Sequence, residues 1–170
     1  GLELAAAGWY PTVEQQQNTF IVAALNGVTV RSIVIGGTTS ASSLSFTARG
    51  GDGFIDVEDI TINGSMKDIK GKVVNLTGDL AIAGNIKQFE LNDVADHHVI
   101  TIGPADSGAS SVSIKLHDVR DLSLLSVMPI KSLSVNSWAD SDAAAVGISA
   151  PWLGKLSVAG NFAAGLNLSD

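Results

Sequence analysis

Four carboxylates form the densest group of side chains that could do chemistry. They follow Gly50-Gly51 closely and are Asp52, Asp56, Glu58 and Asp59. Calcium prefers oxygen ligands, so these four residues are the candidates for a calcium site. The segment GGDGFID departs by one position from the G-G-x-G-x-D calcium motif. It also occurs once, whereas that motif is a repeat. We therefore predict a solvated loop here, with no bound metal and no cofactor.

A second group combines carboxylates with lysines. Asp68, Asp79 and Asp93 occur near Lys70 and Lys87, and solenoid enzymes that cleave polysaccharides use sets of this kind. General acid–base catalysis requires a perturbed pair of groups within reach of one substrate. The same aspartates are suited to corners, where Asp side chains support turns. We predict no catalytic residues and no enzyme activity; a polysaccharide lyase or hydrolase is the alternative.

The histidines do not have the spacing of a metal site. His97 and His98 are adjacent and precede the alternating VITIG, and neighbours in a strand face opposite sides. His117 has no partner at ligand spacing, so we expect three exposed or core-edge histidines. The chain contains no cysteine, which excludes a disulfide, a thiolate metal site and a cysteine nucleophile.

A repeated phrase predicts the elements that carry these residues. The ten residues ITINGSMKDI at 60–69 recur as LAIAGNIKQF at 80–89. Apolar residues at alternate positions indicate short strands, and glycine tolerates the backbone angles of a corner. A period near twenty is typical of stacked repeats. The matching pairs are Ile60/Leu80, Ile62/Ile82, Gly64/Gly84, Met66/Ile86, Lys67/Lys87 and Ile69/Phe89.

Further copies extend the repeat. IKQFELN at 86–92 recurs as IKSLSVN at 130–136, a shift of about two periods, and LSVAGNF at 156–162 repeats LAIAGNI at 80–86. LSV also aligns with other strands, so no register is assigned there. We predict an all-β, right-handed parallel β-solenoid of about six rungs; a β-sandwich is the alternative. The residues expected to point inward are Ile60, Ile62, Leu80, Ile82, Ile86, Leu133, Val135, Leu156 and Val158.

Composition narrows the function classes. Hydrophobic residues make up 45% of the 170 residues and charged residues 16%, and the net charge is −7. The ten basic residues are scattered along the sequence, so we predict no nucleic acid partner, because such binding depends on neutralising phosphates. No apolar run approaches the roughly 20 residues of a membrane span, and we predict no membrane insertion.

The two ends differ from the middle. We predict an N-terminal cap or linking segment over 1–27 and solenoid repeats over 28–170, open at the C-terminal end. A helix over 13–25 is possible, but the alternation of Phe20 and Val22 favours a strand after residue 18. Both ends contain G-L-x-L, and an uncovered end of a solenoid exposes its core and an unpaired edge. We expect head-to-tail contacts through Leu2, Leu4, Leu166 and Leu168.

Glycan binding is the alternative function. Exposed aromatic platforms would favour it, and Trp9, Tyr10, Trp138 and Trp152 are the candidates for such platforms. We expect Trp138 and Trp152 instead to cover the ends of apolar columns or to pack under loops.

Three segments carry a resemblance to a known group of proteins. They are GNIKQFELNDVADHHVITIG at 84–103, MPIKSLSVNSW at 128–138 and APWLGKLSVAGNF at 150–162. They resemble the tandem β-solenoid repeats of very large secreted or surface bacterial proteins, over roughly residues 27–170. The resemblance implies an extracellular or cell-surface location and a structural or adhesive role. It supplies no catalytic residues. The partners it implies are copies of the chain or flanking segments of a longer one.

Overall fold

The computed structural model describes residues 2–6, 12–16, 18–25, 29–103, 111–141 and 146–169. Within these ranges the regular elements are β-strands, with no helix. The strands are β1 (Leu2–Ala6), β2 (Thr12–Gln16), β3 (Thr19–Leu25), β4 (Thr29–Thr38), β5 (Ser43–Arg49), β6 (Ile55–Gly64), β7 (Met66–Gly71), β8 (Val74–Leu76), β9 (Leu80–Ile82), β10 (Ile86–Leu91), β11 (Val99–Ile102), β12 (Val112–Lys115), β13 (Asp118–Arg120), β14 (Ser123–Ser126), β15 (Ile130–Val135), β16 (Ser137–Ala139), β17 (Gly147–Ala150), β18 (Leu156–Val158) and β19 (Gly165–Leu168).

Two long sheets share one core. Sheet A has the order β1-β4-β6-β9-β11-β14-β17-β19, with β8 beside β6, and sheet B has the order β18-β15-β12-β10-β7-β5-β3-β2. From β3 onward the chain alternates between the sheets, so neighbouring strands of this part within a sheet are one turn apart and pair in parallel. The prediction of an all-β parallel solenoid is therefore confirmed. About five turns lie between the first parallel strands, β3 and β4, and the last, β18 and β19, where the sequence suggested about six rungs.

A narrow third side closes each turn. It consists of short strands and single bridges, and it joins Leu76 to Val94, Val94 to Val119 and Trp138 to Phe162. Inward side chains of the three sides stack in columns from turn to turn. The column of sheet A is Ile33, Ile60, Leu80, Ile100, Leu124, Ile148 and Leu166; that of sheet B is Leu44, Ile69, Phe89, Ile114, Leu133 and Leu156; that of the third side is Val30, Val57, Leu76, Val94, Val119, Trp138 and Phe162.

The repeated phrase pairs as the sequence predicted. Ile60 lies opposite Leu80 and Ile62 opposite Ile82 in sheet A, and Ile69 lies opposite Phe89 in sheet B. Of the nine residues expected to point inward, the seven from Ile60 to Val135 are at most 3% exposed. Leu156 and Val158 are only partly buried against the core. They lie on β18, the outermost strand of sheet B, and no further described strand of that sheet covers them.

The structure supplies the register that the sequence left open at residues 156–158. LSV at 156–158 forms β18, which pairs with β15 in sheet B, whereas LAI at 80–82 lies in sheet A. Both segments are an apolar residue, a small residue and an apolar residue, so alternation could not distinguish them. The shift of 44 residues is correct, because Ile86, Val112 and Ile130 lie on successive turns, with Val112 opposite Ile130.

Antiparallel strands flank the N-terminal turn. β1 pairs antiparallel with β4, placing Leu2 opposite Ile35 and Leu4 opposite Ile33. β2 pairs antiparallel with β3, and β3 in turn pairs in parallel with β5. Residues 19–25 are therefore a strand, as their alternation favoured, and they already belong to the parallel stack.

Candidate functional site

A ladder of polar side chains runs along the corner between sheet B and the third side. The amide of Asn75 donates to Asp56 (3.0 Å), and the amide of Asn92 donates to the Asn75 oxygen (2.8 Å). On the turn after that of Asn92, Asp118 Oδ1 accepts hydrogen bonds from Asn136 Nδ2 (2.7 Å) and Ser137 Oγ (2.6 Å). Each bond joins one turn to the next, so the ladder supplies partners for polar groups that the sheets do not satisfy.

His117 lies in the middle of this corner. Its Nδ1 is 2.8 Å from Asp93 Oδ1 and 3.4 Å from Asp118 Oδ2, and the Asp118 N–H donates to Asp93 Oδ1 (3.1 Å). The hydrogen bond to Asp93 and, after it, the charges of Asp118 and Asp93 raise the pKa of His117, although desolvation opposes them. Hydrogen bonds from Ser137 and Asn136 lower the pKa of Asp118, and the His117 charge adds to this.

The Asp93–His117–Asp118 group has the chemistry of a metal site. One ligand atom from each residue lies within 4.8 Å of the others, and an imidazole with two carboxylates suits several divalent metals. The expectation that His117 lacks a ligand partner was wrong, because its partners include Asp93, 24 residues away and one turn below. Asp93 Oδ1 is already engaged by His117 and the Asp118 N–H, so the atoms form a hydrogen-bonded corner without any ion.

The corner before sheet A carries a second ladder. Asp59 Oδ1 accepts from the Asp79 N–H (2.9 Å), and Asp79 Oδ1 accepts from the Val99 N–H (2.8 Å). His98 Nδ1 lies 3.5 Å from the same Asp79 oxygen. Further along, Asp121 Oδ1 accepts from the Ser141 N–H (2.7 Å).

The four calcium candidates do not form one site. Asp56 belongs to the first ladder and Asp59 to the second. Asp52 Oδ1 accepts the Phe54 N–H (3.0 Å) within its own loop, and Glu58 is half-buried in β6. Among the described residues no three of these carboxylates place their oxygens within 4.8 Å of one another.

The carboxylates considered for catalysis also lie apart. Asp68 is 2% exposed in β7, with its backbone opposite Ser43 and Gln88, and its Oδ1 has no hydrogen-bond partner within the described chain. Asp79 precedes β9 and Asp93 follows β10, each within its own ladder. Lys70 and Lys87 are exposed on strands of sheet B. The structure therefore does not assemble these residues around one bond.

The outer side of sheet B carries lysines that the sequence left scattered. We call these six residues the lysine face: Lys67, Lys70, Lys87, Lys115, Lys131 and Lys155. Five lie within β7, β10, β12 and β15, and Lys155 immediately precedes β18. The same strands contain two carboxylates, Asp68 and Glu90. The sequence contained one signal of the lysine face, which was the match of Lys67 with Lys87 in the repeated phrase. Residues that share a repeat position lie on the same side of the sheet.

A shallow depression of about 300 Å³ lies on the lysine face. Between two lysines its lining offers an amide, a carboxylate and hydroxyl groups. The polar lining residues are Lys70, Gln88, Glu90, Ser113, Lys115, Ser132 and Ser134.

The end formed by β18 and β19 is uncovered in the described structure. All of β19 is exposed, with Leu166 at 50% and Leu168 at 45%, although both continue inward columns of sheet A. Trp138, fully buried, packs edge-to-face against Phe162, with ring centroids 5.9 Å apart. Trp138 thus lies one turn below the end of its column, and Phe162 lies beyond it, whereas we expected Trp138 to cover the end itself or to pack under a loop.

The other aromatic candidates behave differently. Trp152 is 38% exposed between β17 and β18, where we expected a covered residue. Trp9 and Tyr10 lie outside the described residues.

Comparisons with known proteins give no relative. No family model matches the chain, and neither does any curated protein or solved structure. Within the described ranges no helix is long and apolar enough to cross a membrane. A parallel β-solenoid with an open end and a lysine face is therefore the basis for a proposal about function.

Proposed function

We propose that this chain is a non-catalytic structural or adhesive building block of an extracellular or cell-surface protein or fibre. It joins end to end with the next unit, which is a copy of itself or a flanking segment of a longer chain. The observation that carries this proposal is the end formed by β18 and β19, where two inward leucines remain half exposed. The resemblance of the repeats to those of large surface proteins supports the location.

Both sheets could continue through a head-to-tail junction. β1 and β19 are the outermost strands of sheet A, at its two ends, and β2 and β18 are the outermost strands of sheet B. In such a junction β19 of one unit would face β1 of the next, and β18 would face β2. The contact uses different surfaces on the two units, so it propagates into a filament.

Two physical terms favour the contact. An edge strand presents unpaired N–H and C=O groups, which strand addition satisfies. Covering Leu166 and Leu168 would also remove apolar surface from water, which contributes about 25 cal/mol per Å². The column that passes through Ile148 would then continue into the next unit.

The test is assembly of the purified chain at increasing concentration. Light scattering and electron microscopy should show filaments that lengthen with concentration. The double variant Leu166→Asp/Leu168→Asp should stay monomeric, because it places charges at the joining surface. Ala81→Asp/Val127→Asp is the matched control, since both residues are exposed apolar side chains and neither borders the depression that Leu166 shares with Leu125. Equal assembly of the two double variants would contradict the proposal.

A chain that stays monomeric at every concentration would exclude joining between copies. Hydrogen exchange in a longer chain then tests the flanking segment. The amides of β18 and β19 should exchange slowly where a following segment pairs with them. If the chain alone is monomeric and these amides also exchange rapidly in the longer chain, end-to-end joining is excluded altogether.

A further inference from the structure

Charge is segregated between the faces of this solenoid. The whole chain has a net charge of −7, yet the lysine face holds six lysines against Asp68 and Glu90, and Asp68 is buried. The corner ladders, by contrast, hold many of the carboxylates, among them Asp56, Asp59 and Asp79. An acidic protein therefore carries a local positive face, which the net charge conceals.

The lysines follow the solenoid axis. Lys70 lies opposite Glu90, and Glu90 lies opposite Lys115, on three consecutive turns. Lys67 and Lys87 are aligned between flanking register pairs. Lys131 immediately precedes Ser132, which lies two turns beyond Gln88 in the same row. Adjacent strands are about 4.8 Å apart, so the lysines lie in rows that run from turn to turn, with Glu90 between Lys70 and Lys115 in one of them.

Most of these charges lack a partner. Lys115 pairs with Glu90 at 2.7 Å. For the other five lysines, no carboxylate of the described chain lies within ion-pair distance. Their ammonium groups are thus available to an external anion.

The groups between the lysines suit sugars. Gln88, Ser113, Ser132 and Ser134 line the depression, and their hydroxyl and amide groups can both donate and accept hydrogen bonds. The aromatic residue of the lining, Phe89, is 2% exposed and faces the core. Single-stranded nucleic acids favour stacking on exposed aromatic rings, which this depression lacks.

We propose that the lysine face binds a linear acidic polysaccharide, with its carboxylates on the lysines and its hydroxyl groups on the serines and Gln88. The polymer runs along the solenoid axis. This binding goes beyond end-to-end joining and does not depend on it, because the face lies within a single unit.

Calorimetric titration with three probes tests the proposal. The purified chain is titrated with polygalacturonate, with neutral dextran and with a single-stranded DNA oligonucleotide at low ionic strength. We expect binding of polygalacturonate that weakens with added salt, no binding of dextran, and weaker binding of DNA. Failure to bind polygalacturonate, or tighter binding of DNA, would overturn the proposal.

Matched variants locate the site. Lys70→Gln/Lys87→Gln/Lys131→Gln should lower the affinity for polygalacturonate at least about tenfold, because each lysine near an anionic surface contributes a several-fold factor. Arg31→Gln/Lys72→Gln/Arg120→Gln removes the same charge outside the lysine face and should retain most of the affinity. Equal losses would mean that the site is not on this face. Scattering that shows lysine-dependent self-association without glycan would assign the face to a second copy instead.

Discussion

Gly84 lies directly against the backbone of Gly64, one turn below it. A Cβ atom placed on Gly84 would be 2.6 Å from the carbonyl carbon of Gly64 and equally close to the backbone nitrogen of Ser65. Side-chain carbon atoms do not approach backbone this closely. The two glycines of the repeated phrase therefore mark a corner where successive turns touch, and the contact fixes how tightly the coil can stack.

Replacing Gly84 with Ala should destabilise the fold by about 1–3 kcal/mol, the usual cost of overpacking a closed site. Gly36→Ala is the matched control, because a Cβ atom there meets nothing within 4 Å. Urea unfolding followed by circular dichroism measures both. A Gly84→Ala variant as stable as Gly36→Ala would mean that the corner relaxes at little cost.

Ile82 belongs to a second inward column of sheet A, between Ile62 and Ile102, and its burial there should make the position intolerant of charge. Ile82 is 1% exposed, whereas its neighbour Ala81 faces outward on the same strand. Ile82→Asp buries an unpaired carboxylate and should cost several kcal/mol, enough to unfold its turn. Ala81→Asp should remain folded with nearly unchanged stability. The two variants are compared by thermal unfolding, and similar midpoints would contradict the assigned register.

The fold was largely predictable from the two clearest copies of the repeated phrase, at 60–69 and 80–89. Their alternating apolar residues and their corner glycines recur at the same interval. Asp59 and Asp79, one turn apart, are separated by 20 residues. The polar contacts were not predictable, because insertions change the interval elsewhere: Asp93 and Asp118 are 25 residues apart. The same variation hid the lysine face. Lys87 and Lys131 precede Gln88 and Ser132, which lie in one row of the sheet, but a separation of 44 residues shows no local cluster in the sequence.

The Asp93–His117–Asp118 corner should make stability depend on pH in two opposite directions. The pKa of His117 is raised above 6.5 in the folded chain. Its contribution is fully present below pH 6.5 and is lost as the pH rises through the folded-state pKa. The pKa of Asp118 is lowered below 3.8. Its contribution is present above pH 3.8 and is lost as the pH falls through the folded-state pKa.

The difference in unfolding free energy between wild type and His117→Gln should therefore be larger at about pH 5 than at about pH 8. It should be small throughout, because the three side chains are about half exposed and water screens their charges. Asp93→Asn should bring the pKa of His117 back toward its ordinary value, as followed by the NMR shift of the imidazole protons. An unchanged titration in Asp93→Asn would show that the 2.8 Å contact does not hold the proton on His117.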